Sequence, residues 1–253
     1  MWRSFITIIF GIIYIIYSIP FLIRAKMLKR DSMSREQYNE KVHRIPKAFG
    51  RGFLKAAGCN VIINGEENLP KAPYLIVGNH PSDIDIFVYL GHIKQPFGFV
   101  SKIEVKKLPI IRSWMEVMDC IFLDRQDRRQ SVKTFKKGIE LLKEGHPIAI
   151  FPEGTRSLGR EMLPFKSGSF SLAKKAKVPV VPVMLDGTYQ SFEGNNKILK
   201  STTIHLTFCK PISVEEVEEM SLEELAEVAQ GRIQKALNEV IYHEEMEEMK
   251  GVS

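Results

Sequence analysis

Between residues 60 and 208 the chain returns seven times to a short β-rich run: "NVIIN" (60–64), "YLIVG" (74–78), "FGFVS" (97–101), "CIFLD" (120–124), "PIAIF" (147–151), "VPVVPVML" (178–185) and "TIHLTF" (203–208). Several of these runs are apolar almost throughout. A strand without a polar face must be covered on both sides, as strands inside a parallel sheet are. Helical spacing fills the intervals. Val132, Phe135, Ile139 and Leu142 recur at three- and four-residue steps, with Lys143 in the last turn and Gly145 to end the helix. The segment "SLEELAEVAQGRIQKALNEVIYHEE" (221–245) predicts an acidic amphipathic helix that closes the domain. Strand and helix in alternation predict an α/β fold with a central, largely parallel sheet flanked by helices. In such folds ligands gather beyond the carboxyl ends of the strands, so the loops after the strands are the places to look for chemistry.

Ahead of this body, Phe5 to Ile23 forms nineteen residues without a charge, preceded by Arg3 and followed by Arg24, Lys26, Lys29 and Arg30. At about 1.5 Å per residue the run reaches roughly 28 Å, enough to cross a bilayer core or to lie tilted within one leaflet. A cleaved leader is the rival reading, but no small-x-small site closes the run. A spanning segment with the heavier positive charge on its C-terminal side places the remainder in the cytoplasm. The next stretch predicts a second helix. Ser34 and Gln37 make a capping box, Tyr38, Val42, Ile45, Phe49 and Phe53 recur at helical spacing, and Pro46 is expected to kink it. Its basic side, with Lys41, Arg44, Lys47, Arg51 and Lys55, suits an anionic bilayer surface or an ordinary solvated face. The expected division is therefore 1–58, two membrane-attachment helices, and 59–253, the α/β domain.

The net charge of +6 is unevenly spread: residues 214–253 carry three Lys/Arg against twelve Asp/Glu, so the rest is strongly basic. Such a body suits an anionic surface, an anionic substrate or an acidic protein partner. Nucleic acid is not indicated, because no helix-turn-helix, RNP or zinc pattern is present. Cys59, Cys120 and Cys209 stand in no metal-ligand spacing and point to a reducing compartment, with Cys120 and Cys209 as small buried hydrophobes.

Two strand-end loops carry most of the reactive side chains. After "YLIVG" comes "NHPSDIDIF", in which Asp85 stands about one helical turn from His80. Its carboxylate can reach one ring nitrogen and leave the other to take a proton. The same letters also read as a helix start, with Ser82 as cap and Asp83 and Asp85 at favourable dipole positions. Alone, the motif is most economically read as the helix start. After "PIAIF" comes "PEGTRS", where Gly154 permits a tight turn, Arg156 offers a fork of donors matched to phosphate, and Thr155 and Ser157 add hydroxyls. "LPFKSGSF" then opens a helix after Lys166. Further basic strand ends lie at Lys102 and at Arg125 in "FLDR".

The motifs "NHPSDID", "FLDR", "FPEGTRS" and "VPVVPVML", in this order, resemble those of the glycerolipid acyltransferases, and in particular the 1-acyl-glycerol-3-phosphate acyltransferases. The resemblance covers about residues 60 to 210. It implies a glycerolipid acyltransferase-like α/β fold and the transfer of a fatty acyl group from acyl-CoA or an acyl carrier protein to lysophosphatidic acid. No cofactor or metal is implied. His80 would be the general base and Asp85 its orienting partner. Lys102, Arg125, Glu153, Gly154, Thr155 and Arg156 would serve the acceptor's phosphate and glycerol, and the run around Pro182 the acyl-donor side. Backbone N–H groups near Gly154 or at the helix start after His80 are candidates for an oxyanion site. The implied setting is the cell membrane, with the catalytic domain on the cytoplasmic face and the phospholipid bilayer as a partner. Glycerol-3-phosphate or a lysophospholipid as acceptor, or a non-catalytic module binding anionic lipid, are the alternatives.

Overall fold

The computed structural model describes residues 1–71 and 73–251; Ala72 and the last two residues of the expected 59–253 domain lie outside the described residues. Among the described residues seven strands form one sheet. They are β1 (Asn60–Asn64), β2 (Leu75–Gly78), β3 (Gly98–Lys102), β4 (Ile121–Leu123), β5 (Ile148–Ile150), β6 (Val180–Asp186) and β7 (Thr203–Phe208), in the order β1-β7-β6-β2-β5-β3-β4. Neighbours are parallel except β6 and β7. Position in the sheet accounts for composition. The inner strands β2, β5 and β6 are buried at every residue, whereas β7 buries alternate residues.

Nine helices are described: α1 (Trp2–Met27), α2 (Arg35–Ala57), α3 (Asp85–His92), α4 (Pro109–Val117), α5 (Arg128–Lys143), α6 (Ser171–Ala176), α7 (Thr188–Ser191), α8 (Val214–Glu219) and α9 (Leu222–Gly251). One face of the sheet is covered by α5, α6 and α9 through Leu142, Leu172 and Ile233, and the other by α2 and α3 through Leu54, Val88 and Tyr89. The acidic C-terminal helix closes the domain as its pattern predicted. In α5, Phe135, Ile139 and Leu142 face the core, but Val132 is exposed, because the buried side turns instead through Thr134, Gly138 and Leu141. Asp127 starts that helix by accepting the N–H groups of Arg129 and Gln130.

The capping box of Ser34 and Gln37 forms, and α2 continues through Pro46 without a break. It docks closely on α3: a Cβ at Gly50 would lie 2.7 Å from the Phe87 carbonyl and the Gly91 N–H, and the Phe53 and Phe87 rings stack at 3.7 Å. Helix α1 is long and apolar enough to cross a membrane. One side packs on the domain, with Leu22 and Ala25 buried beside Tyr38, Val42 and Val117, and Ser18 accepting the Trp114 indole N–H at 3.0 Å. The other side exposes Phe5, Ile8, Ile12, Ile13 and Ile16.

A buried polar contact fastens α2 to the sheet. Both ring nitrogens of His43 meet carbonyls, of Asn39 at 2.8 Å and Phe97 at 2.9 Å, and the Asn39 amide lies 3.0 Å from His146. Burial pushes His43 down to about 4 and His146 to about 3, outweighing the carbonyl bonds on the first and the Asp119 charge on the second. A depressed histidine stays neutral in the folded protein while its unfolded counterpart takes a proton. Its contribution is therefore complete above the ordinary value and is lost as pH falls toward the folded one, by about 1.4 kcal/mol per pH unit for each group. Thermal melts between pH 7 and pH 4 should show a falling Tm, and His43→Gln with His146→Gln should flatten that slope. An undiminished slope in the double variant would assign the acid sensitivity elsewhere.

Candidate functional site

Where β2 ends, the buried Asn79 side chain replaces the missing ladder. Its amide donates to the Leu185 carbonyl and its oxygen accepts the Leu185 N–H, both at 2.8 Å. His80 follows directly. Its Nδ1 lies 2.7 Å from Asp85 Oδ2, the first residue of α3, and its ring stacks on Phe151 at 4.1 Å. Asp85 is fully buried and also accepts the Ser82 N–H at 3.0 Å. Burial raises its pKa, opposed by the bond and charge of His80, by the Thr188 hydroxyl and by the Ser82 N–H. The helix begins at Asp85, so Ser82 is not its N-cap; its hydroxyl accepts the Ile84 N–H within the preceding turn.

The second loop is stapled to the first. Gly154 adopts φ +76°, the turn for which its lack of a side chain suits it. The Glu153 carboxylate accepts the His80 N–H at 2.7 Å and the Leu163 N–H at 2.9 Å, and the Ser157 N–H donates to the His80 carbonyl at 2.9 Å. Glu153 thus acts on backbone, and burial raises its pKa. Arg125 donates to the Gly154 carbonyl, and Lys166 lies so close that a Cβ on Gly154 would stand 2.6 Å from its Nζ. Arg156 Nη1 meets Asp83 Oδ2 at 2.6 Å and Glu193 Oε1 at 2.8 Å. Thr155 is exposed in the loop and Lys102 at the end of β3.

The structure thus brings His80, Asp85, Glu153, Gly154, Arg125 and Arg156 together. Pro182 is placed differently: it is buried within β6, paired with Val77, and its carbonyl accepts the Cys209 N–H. Five of the N–H groups expected as oxyanion donors are otherwise engaged. The N–H groups of Ser82, Asp83, Ile84 and Asp85 bond Asp85, Glu193, the Ser82 hydroxyl and the Ser82 carbonyl, and that of Gly154 bonds Phe151.

Sequence reasoning passed over Phe151, Thr188 and Glu193, and gave Asp83 only a helix-dipole role. The one available signal was position, since Thr188 and Glu193 follow the carboxyl end of β6. Alongside the site an apolar cavity of about 210 Å³ opens between α1, α2, α3 and α4, lined by Tyr14, Phe49, Phe87, Phe99, Trp114 and Met115 among others. Phe99 lies against Phe151 at 6.5 Å, so aromatic rings lead from the cavity to His80.

Residues 60–186 match the family model described as Acyltransferase. A 1-acyl-sn-glycerol-3-phosphate acyltransferase of Saccharomyces cerevisiae is 36% identical over 73% of this chain and 62% of its own length. One of Borreliella burgdorferi is 30% identical over 74% and 75%. Among solved structures, the 1-acyl-sn-glycerophosphate (LPA) acyltransferase PlsC of Thermotoga maritima superposes with a TM-score of 0.81 at 27% identity, covering 94% of this chain and 95% of that one. Several relatives are longer proteins, and the chain spans 46% to 62% of their length.

The Glu153 contacts make a stability prediction. A glutamine there can accept only one of the two N–H groups and turns its own N–H₂ toward the other, a buried mismatch worth about 1–3 kcal/mol. Glu153→Gln should therefore lower Tm by several degrees in thermal unfolding; an unchanged Tm would show that these bonds do not brace the loops.

Proposed function

Because the chain belongs to the acyltransferase family, we propose that it transfers a fatty acyl group from acyl-CoA or an acyl carrier protein to the sn-2 hydroxyl of lysophosphatidic acid, giving phosphatidic acid. The observation that carries this reading is the pairing of His80 with Asp85 at 2.7 Å, at a strand end stapled to a loop that holds Arg156. A lipid-binding module would have no use for the pair.

Asp85 fixes the Nδ1–H tautomer, leaving Nε2 to take the acceptor's hydroxyl proton. The freed oxygen attacks the thioester carbonyl. The tetrahedral species collapses to the ester, and the departing thiolate takes the proton back from His80. No acyl-enzyme is needed, and the donor thioester is a co-substrate; no cofactor enters. Arg156, Arg125, Lys166 and Lys102 supply the positive field for the acceptor's phosphate. The acyl chain of the donor lies in the apolar cavity beside Phe99, with its carbonyl toward His80. Pro182 supports this arrangement from within the sheet.

Both the acceptor and the product carry a long acyl chain, so the enzyme works at a membrane. The exposed apolar side of α1, followed by Arg24, Lys26, Lys29 and Arg30, meets the bilayer, with the α/β domain on its cytoplasmic side.

His80→Ala should lower kcat by about 10²–10⁴, the usual share of general-base catalysis, with a thermal melt close to that of the parent. Asp85→Asn, which keeps the shape but loses the charge that orients the ring, should also lose most of the rate. Acyl transfer measured by thiol release would decide, and an active His80→Ala would end the assignment.

A further inference from the structure

Glu193 lies in the short turn after α7, with 5% of its side chain exposed. Its Oε2 accepts the Ser82 hydroxyl at 2.5 Å, and its Oε1 accepts the Asp83 N–H at 2.9 Å and meets Arg156 Nη1 at 2.8 Å. One carboxylate from the β6 end thus joins the turn between His80 and Asp85 to the guanidinium of the neighbouring loop. Asp83 approaches the same Nη1 at 2.6 Å, but its side chain is 62% exposed. The two carboxylates on this arginine are therefore unequal. The exposed one can swing into water when a stronger anion arrives. The buried one is held by three donors, and its departure would strip the Ser82 hydroxyl and the Asp83 N–H of their acceptor.

Building on the acyl-transfer reading, we propose that Glu193 is a positioning residue: it sets Arg156 in register with His80, so that an acceptor phosphate displacing Asp83 brings its hydroxyl to the base. The charges favour an exchange. Arg156 between two carboxylates leaves a local charge of about −1, which opposes a phosphate until one carboxylate withdraws. Asp83 is the one free to do so, while Glu193 keeps the guanidinium from wandering. A long side chain fixed beforehand loses less freedom on binding, and a misplacement of about 1 Å at such a contact is costly in rate. Glu193 needs no contact with substrate to act.

The test uses the full chain in detergent or vesicles, with lysophosphatidic acid and a long-chain acyl-CoA varied in turn. Glu193→Ala should raise KM for lysophosphatidic acid about tenfold, as loss of a charge-assisted hydrogen bond does, with KM for acyl-CoA nearly unmoved. The near-isosteric Glu193→Gln, which preserves packing and gives up the charge, should raise the same constant less. Asp83→Asn should lower it, because the phosphate then meets no competing carboxylate. The opposite signs distinguish positioning from a merely structural role. An unchanged acceptor KM in both Glu193 variants, or parallel rises for acceptor and donor, would overturn the proposal. If Glu193→Ala proves misfolded in a thermal melt, the Gln variant decides alone. A parent protein that transfers nothing to lysophosphatidic acid would instead remove the acyl-transfer reading beneath it.

Discussion

Where β2 and β5 run out, their backbones leave the sheet while still buried, and every N–H and C=O there must find a new partner. Much of the site is the solution to that constraint. Asn79 carries the ladder one step further onto β6, Glu153 accepts the His80 N–H, and the Ser157 N–H returns to the His80 carbonyl. These bonds fix His80 by its main chain before its side chain meets Asp85. The imidazole is then held by a carboxylate on one edge and by Phe151 on its face, which is the preorganisation proton transfer requires.

The same economy joins the apolar and polar halves. Helices α2 and α3 approach closely at Gly50 and Gly91, which brings Phe49 and Phe87 to the cavity and leaves α1 to close it with Tyr14. Its wall ends at Phe99, next to Phe151 and thus next to His80. In the proposed reaction an apolar chain and an anionic headgroup must meet at one imidazole. The structure offers aromatic packing on that ring's face through Phe151, and an arginine in the loop that is bonded to its backbone.

The sheet was legible because inner parallel strands cannot have a polar face, and all seven β-rich runs became strands. Helix α2 runs on through Pro46, since packing on α3 and the sheet outweighs one lost hydrogen bond. Val132 failed as a core marker because helical periodicity tolerates a neighbouring face, here that of Leu141. The site was legible only where a motif concentrates reactive side chains, as at His80, Asp85, Gly154 and Arg156. Glu193 was not, because a glutamate in a polar turn has no signature of its own, and its partner Asp83 lies 110 positions away. The oxyanion donors expected at the helix start were misjudged for a related reason. Their partners, Glu193 and the Ser82 hydroxyl, are brought there only by folding.

The central claim is that this site joins an acyl thioester to a phosphate-bearing lysolipid. The most direct test is mass spectrometry of the products formed by the purified full chain from an acyl-CoA and a mixture of lysophosphatidic acid, glycerol-3-phosphate and lysophosphatidylcholine. The account predicts phosphatidic acid carrying the donor's acyl chain as the main product. Free fatty acid alone, or acylation of the other acceptors in preference to lysophosphatidic acid, would contradict it.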